Sequence, residues 1–188
     1  MNTQRRQWIT ASALLCAGLH RSALAQTAAP AVWPEILAHL PDAVWSGSAR
    51  LRFWGFDVYD AQLWVSPGFR ASQYGQYPLA LSLTYLRTLR GNAIAERSLA
   101  EMRRQGPISP EQESRWLSAM QVTFIDVAAN DRLTGLHQPG QGADFWLNGK
   151  PQGRIMDADF SSRFFGIWLA SASSEPEMRR RLLAAAAP

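Results

Sequence analysis

Residues 50–60 of this chain hold two arginines, a tyrosine and two aspartates: Arg50, Arg52, Asp57, Tyr59 and Asp60. Carboxylates beside cations serve either proton transfer or the recognition of a charged ligand. Along a regular strand Asp57 and Asp60 fall on opposite faces, which argues against a general acid–base pair in one cleft. Arg50 and Arg52 share a face of the preceding strand and are the nearest cations. They either bridge an aspartate, with the other aspartate meeting solvent, or line a pocket for a carboxylate ligand. The ion pair is the plainer reading. Arg87 shares a strand face with Tyr85 and either reaches into a cleft or lies past the sheet edge. The ligand-binding candidates are therefore Arg50, Arg52, Tyr59, Tyr85 and Arg87, and no residue declares itself catalytic.

Other chemistries find little support. Beyond residue 25 the histidines are His39 and His137, far apart and without cysteine company, so no metal site is expected and both read as surface or packed residues. Cys16 falls in the export signal described below, and no Gly-x-Ser-x-Gly occurs, so an activated thiol or serine elbow is not expected. Gly140-Gln141-Gly142 precedes a hairpin and not a helix, which disfavours a phosphate loop. No cofactor is implied. The aromatic residues Trp54, Trp64, Trp146, Phe164 and Trp168 read first as core, with the alternative that they wall an apolar cavity between sheet and helices.

The elements that must position these groups follow from periodicity. Residues 45–65 alternate and are rich in aromatic and β-branched side chains, with Gly55 at a bend, which predicts two adjoining strands. Neither face of the second is cleanly polar, so both should be covered. Leu79, Leu81, Leu83 and Tyr85 mark a third strand. A helix is expected over 92–105. A second begins at Ser109-Pro110-Glu111-Gln112, where serine and glutamine form a capping box. A strand over 131–137 and a hairpin over 144–155, turning at Asn148-Gly149, come next. Phe160, Phe164 and Trp168 stripe a helix over 159–169, and Ser174 with Glu177 suggests a capping box for a last helix. Strands in two groups with helices inserted and appended imply an α+β domain, an antiparallel β-sheet packed by helices.

The first 25 residues read as a cleavable export signal. Arg5 and Arg6 precede an uncharged apolar run over 8–19, and Ala23-Leu24-Ala25 fits cleavage before Gln26. The run is short of the ~20 residues that cross a bilayer. Paired arginines suit the twin-arginine route, and ordinary secretory signals carry them too. Residues 26–42 read as a leader and 43–188 as one domain. The chain has 19 basic and 15 acidic residues; Arg5, Arg6 and Arg21 lie in or beside the signal, leaving the exported part near neutrality. Neither nucleic acid nor an anionic membrane is implied by overall charge, and no transmembrane segment is expected in the mature chain. A periplasmic or secreted location follows from this reading.

Gly47, Val58-Tyr59, Leu63-Trp64, the stretch 81–87 and the stretch 161–169, in this order, resemble the chalcone isomerase-like family, in a bacterial exported branch. The resemblance implies an open-faced β-sandwich. Enzymes of the family close a flavonoid ring by intramolecular addition in a cleft between sheet and helices, and non-enzymatic members bind fatty acids there. The enzymes' arginine falls here at Leu51 and their threonine at Tyr59. Their helical tyrosine and asparagine fall at Ile94 and Glu101. Leucine and isoleucine supply neither a cation nor a hydroxyl, so the plant cyclisation is not expected. The resemblance implies instead a non-catalytic protein holding an apolar or fatty-acid-like carboxylate, or a protein partner. An intramolecular lyase (isomerase) with Tyr59, Tyr85, Arg50 and Arg87 converging in one cleft is the alternative. A third reading is surface recognition through exposed tryptophans.

Overall fold

The computed structural model describes residues 30–187, so the expected export signal lies outside the described residues. Six strands form one antiparallel sheet in sequential order: β1 (Val44–Phe53), β2 (Phe56–Val65), β3 (Leu79–Tyr85), β4 (Arg132–Gln138), β5 (Gly142–Leu147) and β6 (Lys150–Ile155). A short helix, α1 (Pro34–Leu37), precedes them. Helices α2 (Gly91–Arg103) and α3 (Pro110–Thr123) lie between β3 and β4, and α4 (Ala158–Leu169) and α5 (Pro176–Leu182) follow β6.

Turn chemistry closes the hairpins where expected. Trp54 and Gly55 have φ of 51° and 80°, and Asn148 and Gly149 have 52° and 78°, the paired left-handed conformation that matches the twist of adjoining strands. The Ser109–Gln112 capping box is formed in both directions. The Ser174–Glu177 box is not. Pro176 occupies the first helical position, which makes Glu175 the cap, and Glu177 instead pairs with Arg180 and Arg181.

Both sheet faces are covered. On one, Leu63, Leu81 and Phe145 meet Phe160, Phe164, Phe165 and Trp168 of α4. There α5 lies along β1 and β2, and α2 packs on α4. The approach of α5 depends on Gly47: a Cβ there would collide with the backbone carbonyls of Arg181 and Leu182. On the other face, Trp64, Ala80, Leu136 and Trp146 are closed by Ile36 and Leu40. The segment read as the end of a leader is therefore part of the fold. Burying Ile36 and Leu40 contributes about 1.5–3 kcal/mol each to holding it there. Glu35, buried beside them, pairs with Arg132, whose guanidinium also lies 3.8 Å from the centre of the Trp33 ring. Of the histidines, His39 lies at the surface and His137 is packed. His39 leans on Trp146 with ring centres 5.0 Å apart. In buried His137, Nε2–H donates to the Gly75 carbonyl (3.0 Å). That leaves Nδ1 to accept from the Ser161 hydroxyl (2.6 Å), and burial pulls the ring pKa down.

Candidate functional site

The helical layer does not close completely on the sheet. Between the ends of β1–β4, α2, α4 and the start of α5 lies a mostly apolar cavity of about 280 Å³. Its floor includes Leu51, Tyr59, Leu83 and Tyr85. Ile94 and Ser98 of α2, Phe164 and Trp168 of α4, and Met178 of α5 form the walls. Arg87 and Arg97 also border it.

A break in strand parity sorts the charged candidates. Arg50 faces Asp60, Leu51 faces Tyr59, and Arg52 faces Asp57, which leaves Val58 without an opposite residue. This β-bulge turns Val58 with Tyr59 toward the cavity and brings Asp57 onto the side of Asp60. The expectation that the two aspartates face apart is thus corrected. Arg50 bonds both, through Nη1 to Asp57 (2.8 Å) and Nε to Asp60 (2.7 Å), while Arg52 Nε reaches Asp57 at 2.6 Å. Arg52 and Arg50 hold the Asp57 carboxyl below its ordinary range. Arg50 and Arg52 do not line the cavity, and the convergence of Arg50 with Tyr59, Tyr85 and Arg87 does not occur.

Tyr59, Tyr85 and Arg87 are brought together at the cavity. Trp168 Nε1–H donates to the Tyr59 hydroxyl at 2.9 Å, so that hydroxyl keeps its own proton to give. The two tyrosine rings meet edge to face at 6.0 Å. Burial raises both phenol pKa values well above the usual, so at neutral pH these are hydrogen-bond donors and not phenolate bases. Arg87 lies over the Phe56 ring at 5.3 Å and has no carboxylate partner among the described residues. Arg97, which the sequence reading missed, pairs with Glu101 at 2.6 Å; its spacing of one helical turn was the available signal. Arg104 approaches the other Glu101 oxygen at 3.6 Å, so a buried carboxylate is flanked by two largely exposed arginines. Of the aromatic residues considered for the wall, Phe164 and Trp168 line the cavity, Trp64 and Trp146 belong to the opposite core, and Trp54 is exposed at the β1–β2 turn.

A sequence model described as chalcone isomerase-like matches residues 46–184. The chain belongs to the chalcone isomerase-like family. An uncharacterised protein of Haemophilus influenzae is 32% identical over 145 residues, covering 76% of this chain and 70% of that one. Among solved structures, a fatty-acid-binding protein of Arabidopsis thaliana superposes with a TM-score of 0.60 at 12% identity, over 76% of this chain and 87% of that one. That likeness concerns the fold: an α+β open antiparallel sheet packed by helices. In this chalcone isomerase-like chain, Leu51, Tyr59, Ile94 and Glu101, the positions at which the sequence resemblance puts the enzymes' reactive groups, all border this cavity. No cluster of three or more metal-ligating side chains occurs among the described residues, and no described helix is long and apolar enough to cross a membrane.

Proposed function

We propose that this protein binds an elongated apolar molecule ending in a carboxylate and does no chemistry on it. The tail occupies the cavity between sheet and helices. The carboxylate meets Arg87 at the rim, with the tyrosine hydroxyls as further donors. One observation carries the reading: a cavity of about 280 Å³, near the lower end of ligand-pocket sizes, has apolar walls and, at its edge, an arginine with no carboxylate partner among the described residues. Two phenols held protonated suit recognition better than proton abstraction. The structural neighbour, a fatty-acid-binding protein, supports the same ligand class. Residues 1–25 support a place of action outside the cytoplasm.

Matched straight-chain carboxylates and alcohols test this. A charge-assisted hydrogen bond contributes about 1.5–3 kcal/mol, so the carboxylate should bind about tenfold or more tightly than the alcohol. Arg87→Gln should erase that preference and leave alcohol binding unchanged. Equal affinity for acid and alcohol, or a preference that survives Arg87→Gln, overturns the assignment.

A further inference from the structure

The turn between β1 and β2 carries the most exposed large apolar side chains near the cavity. Trp54 is 85% exposed, Phe56 62% and Phe53 50%. The fold gives no reason for a tryptophan there. Its φ of 51° is a conformation that bulky residues adopt at a cost, and the β5–β6 turn fills the equivalent position with Asn148. The tip stands clear of the body, with nothing within 4 Å of a Cβ built on Gly55.

Two cations sit behind the aromatic tip. The Arg87 guanidinium lies 5.3 Å from the Phe56 ring centre, and that of Arg97 lies 5.6 Å from the Phe53 ring centre. An aromatic end backed by guanidinium groups is the arrangement that side chains take at a bilayer surface. Rings rest at the headgroup level, and arginines reach the phosphates while their stems cover apolar surface. Phe53, Arg87 and Arg97 also border the cavity, so the tip and the cavity opening are continuous.

We infer that the tip formed by Phe53, Trp54 and Phe56 docks the cavity opening onto a phospholipid bilayer surface, with Arg87 and Arg97 at the phosphate level. The occupant is a lipid surface because the feature is a protruding apolar tip with cations behind it, which suits a soft anionic boundary better than a matching protein pocket. Docked in this way, the protein takes up or releases an apolar ligand without that ligand crossing water. This use rests on the cavity reading above, whereas docking itself does not.

Flotation of the purified chain with vesicles of phosphatidylethanolamine and phosphatidylglycerol is the test. The unaltered chain should float with them. Trp54→Asn combined with Phe56→Ser should lower partitioning about tenfold or more, the equivalent of losing one buried aromatic side chain. Arg87→Gln should lower it about fivefold on these vesicles and less on phosphatidylcholine alone. Trp54→Asn by itself installs the preferred Asn-Gly pair and should melt no lower than the unaltered chain, which separates lost docking from lost folding. Failure of the unaltered chain to float, or equal flotation of the double variant, overturns the inference. Flotation that is intact in a chain without carboxylate affinity upholds docking and overturns the cavity reading instead.

Discussion

Lengthening a straight-chain carboxylate one methylene at a time measures the cavity from inside. Each methylene moved from water onto an apolar wall contributes about 0.8 kcal/mol, or about fourfold in Kd. A methylene fills roughly the 30 Å³ that one water takes in the liquid, so a cavity of about 280 Å³ holds on the order of nine. Affinity should therefore climb about fourfold per carbon up to roughly nine or ten carbons and then flatten, because later methylenes stay in water. Ile94 is a partly buried wall residue, so Ile94→Ala enlarges the space without emptying the core. It should move the break outward by about two or three carbons, the size of the side chain removed. Isothermal titration calorimetry below each ligand's aggregation threshold reads both slope and break. A slope that never breaks, an affinity indifferent to chain length, or a break that Ile94→Ala leaves in place would refute this account.

Three further outcomes follow from named contacts. Gly47→Ala drives a methyl into the backbone of α5 and should cost about 1–3 kcal/mol in a urea melt; it should also weaken ligand binding, because Met178 of that helix is a wall residue. Although burial opposes it, hydrogen bonds from Arg132 and Thr134 hold the Glu35 carboxyl below its ordinary 4.5. The stability this contributes is present above pH 4.5 and is lost as pH falls through the lower folded value. Glu35→Gln should flatten that acid limb and, by leaving Arg132 buried without its partner, cost about 3 kcal/mol at neutral pH; an unchanged melt at both pH values speaks against the pair. Expressed with residues 1–25 in a bacterial host, the chain should be recovered with Gln26 first. An intact mass that retains Ala25 contradicts the export reading.

Local rules made much of this fold legible, and their failures have physical causes. Asn148-Gly149 and the Ser109–Gln112 box are satisfied within a few residues, so the structure forms them as read. The sides of Asp57 and Asp60 depended on unbroken alternation, and one unpaired residue, Val58, reversed it. Ser174 and Glu177 had the right spacing for a cap, but Pro176 between them fixed the helix start. Residues 26–42 looked like a leader because their apolar side chains have no partners nearby in sequence; within that stretch Ile36 and Leu40 find Trp64, Leu136 and Trp146 across the sheet. The cavity was the least legible feature. Leu51, Ile94, Trp168 and Met178 come from four elements, and no spacing relates them.

The two faces of the sheet differ in how well their side chains close, and that difference bears on the proposed ligand. On the α1 face, Trp64 and Ile36 are almost completely buried, so this chain can close a core tightly where its side chains meet. On the α2 face, small residues border the gap: Ala93 and Ser98 stand where larger side chains would fill it. At ~24 cal/mol per Å³, leaving about 280 Å³ without contacts costs up to about 7 kcal/mol, comparable to the whole net stability of an ordinary domain. Because the opening admits water, this figure is a ceiling. Water recovers little of it against walls such as Leu83, Phe164 and Ile167, which offer almost no hydrogen bonds. The proposed apolar chain would restore the missing contacts, and its charged end would need a cation only where the cavity meets solvent. Arg87 stands at that boundary, while Arg50 and Arg52 neutralise aspartates on the outer side of the hairpin, the ion-pair reading that the sequence favoured for them.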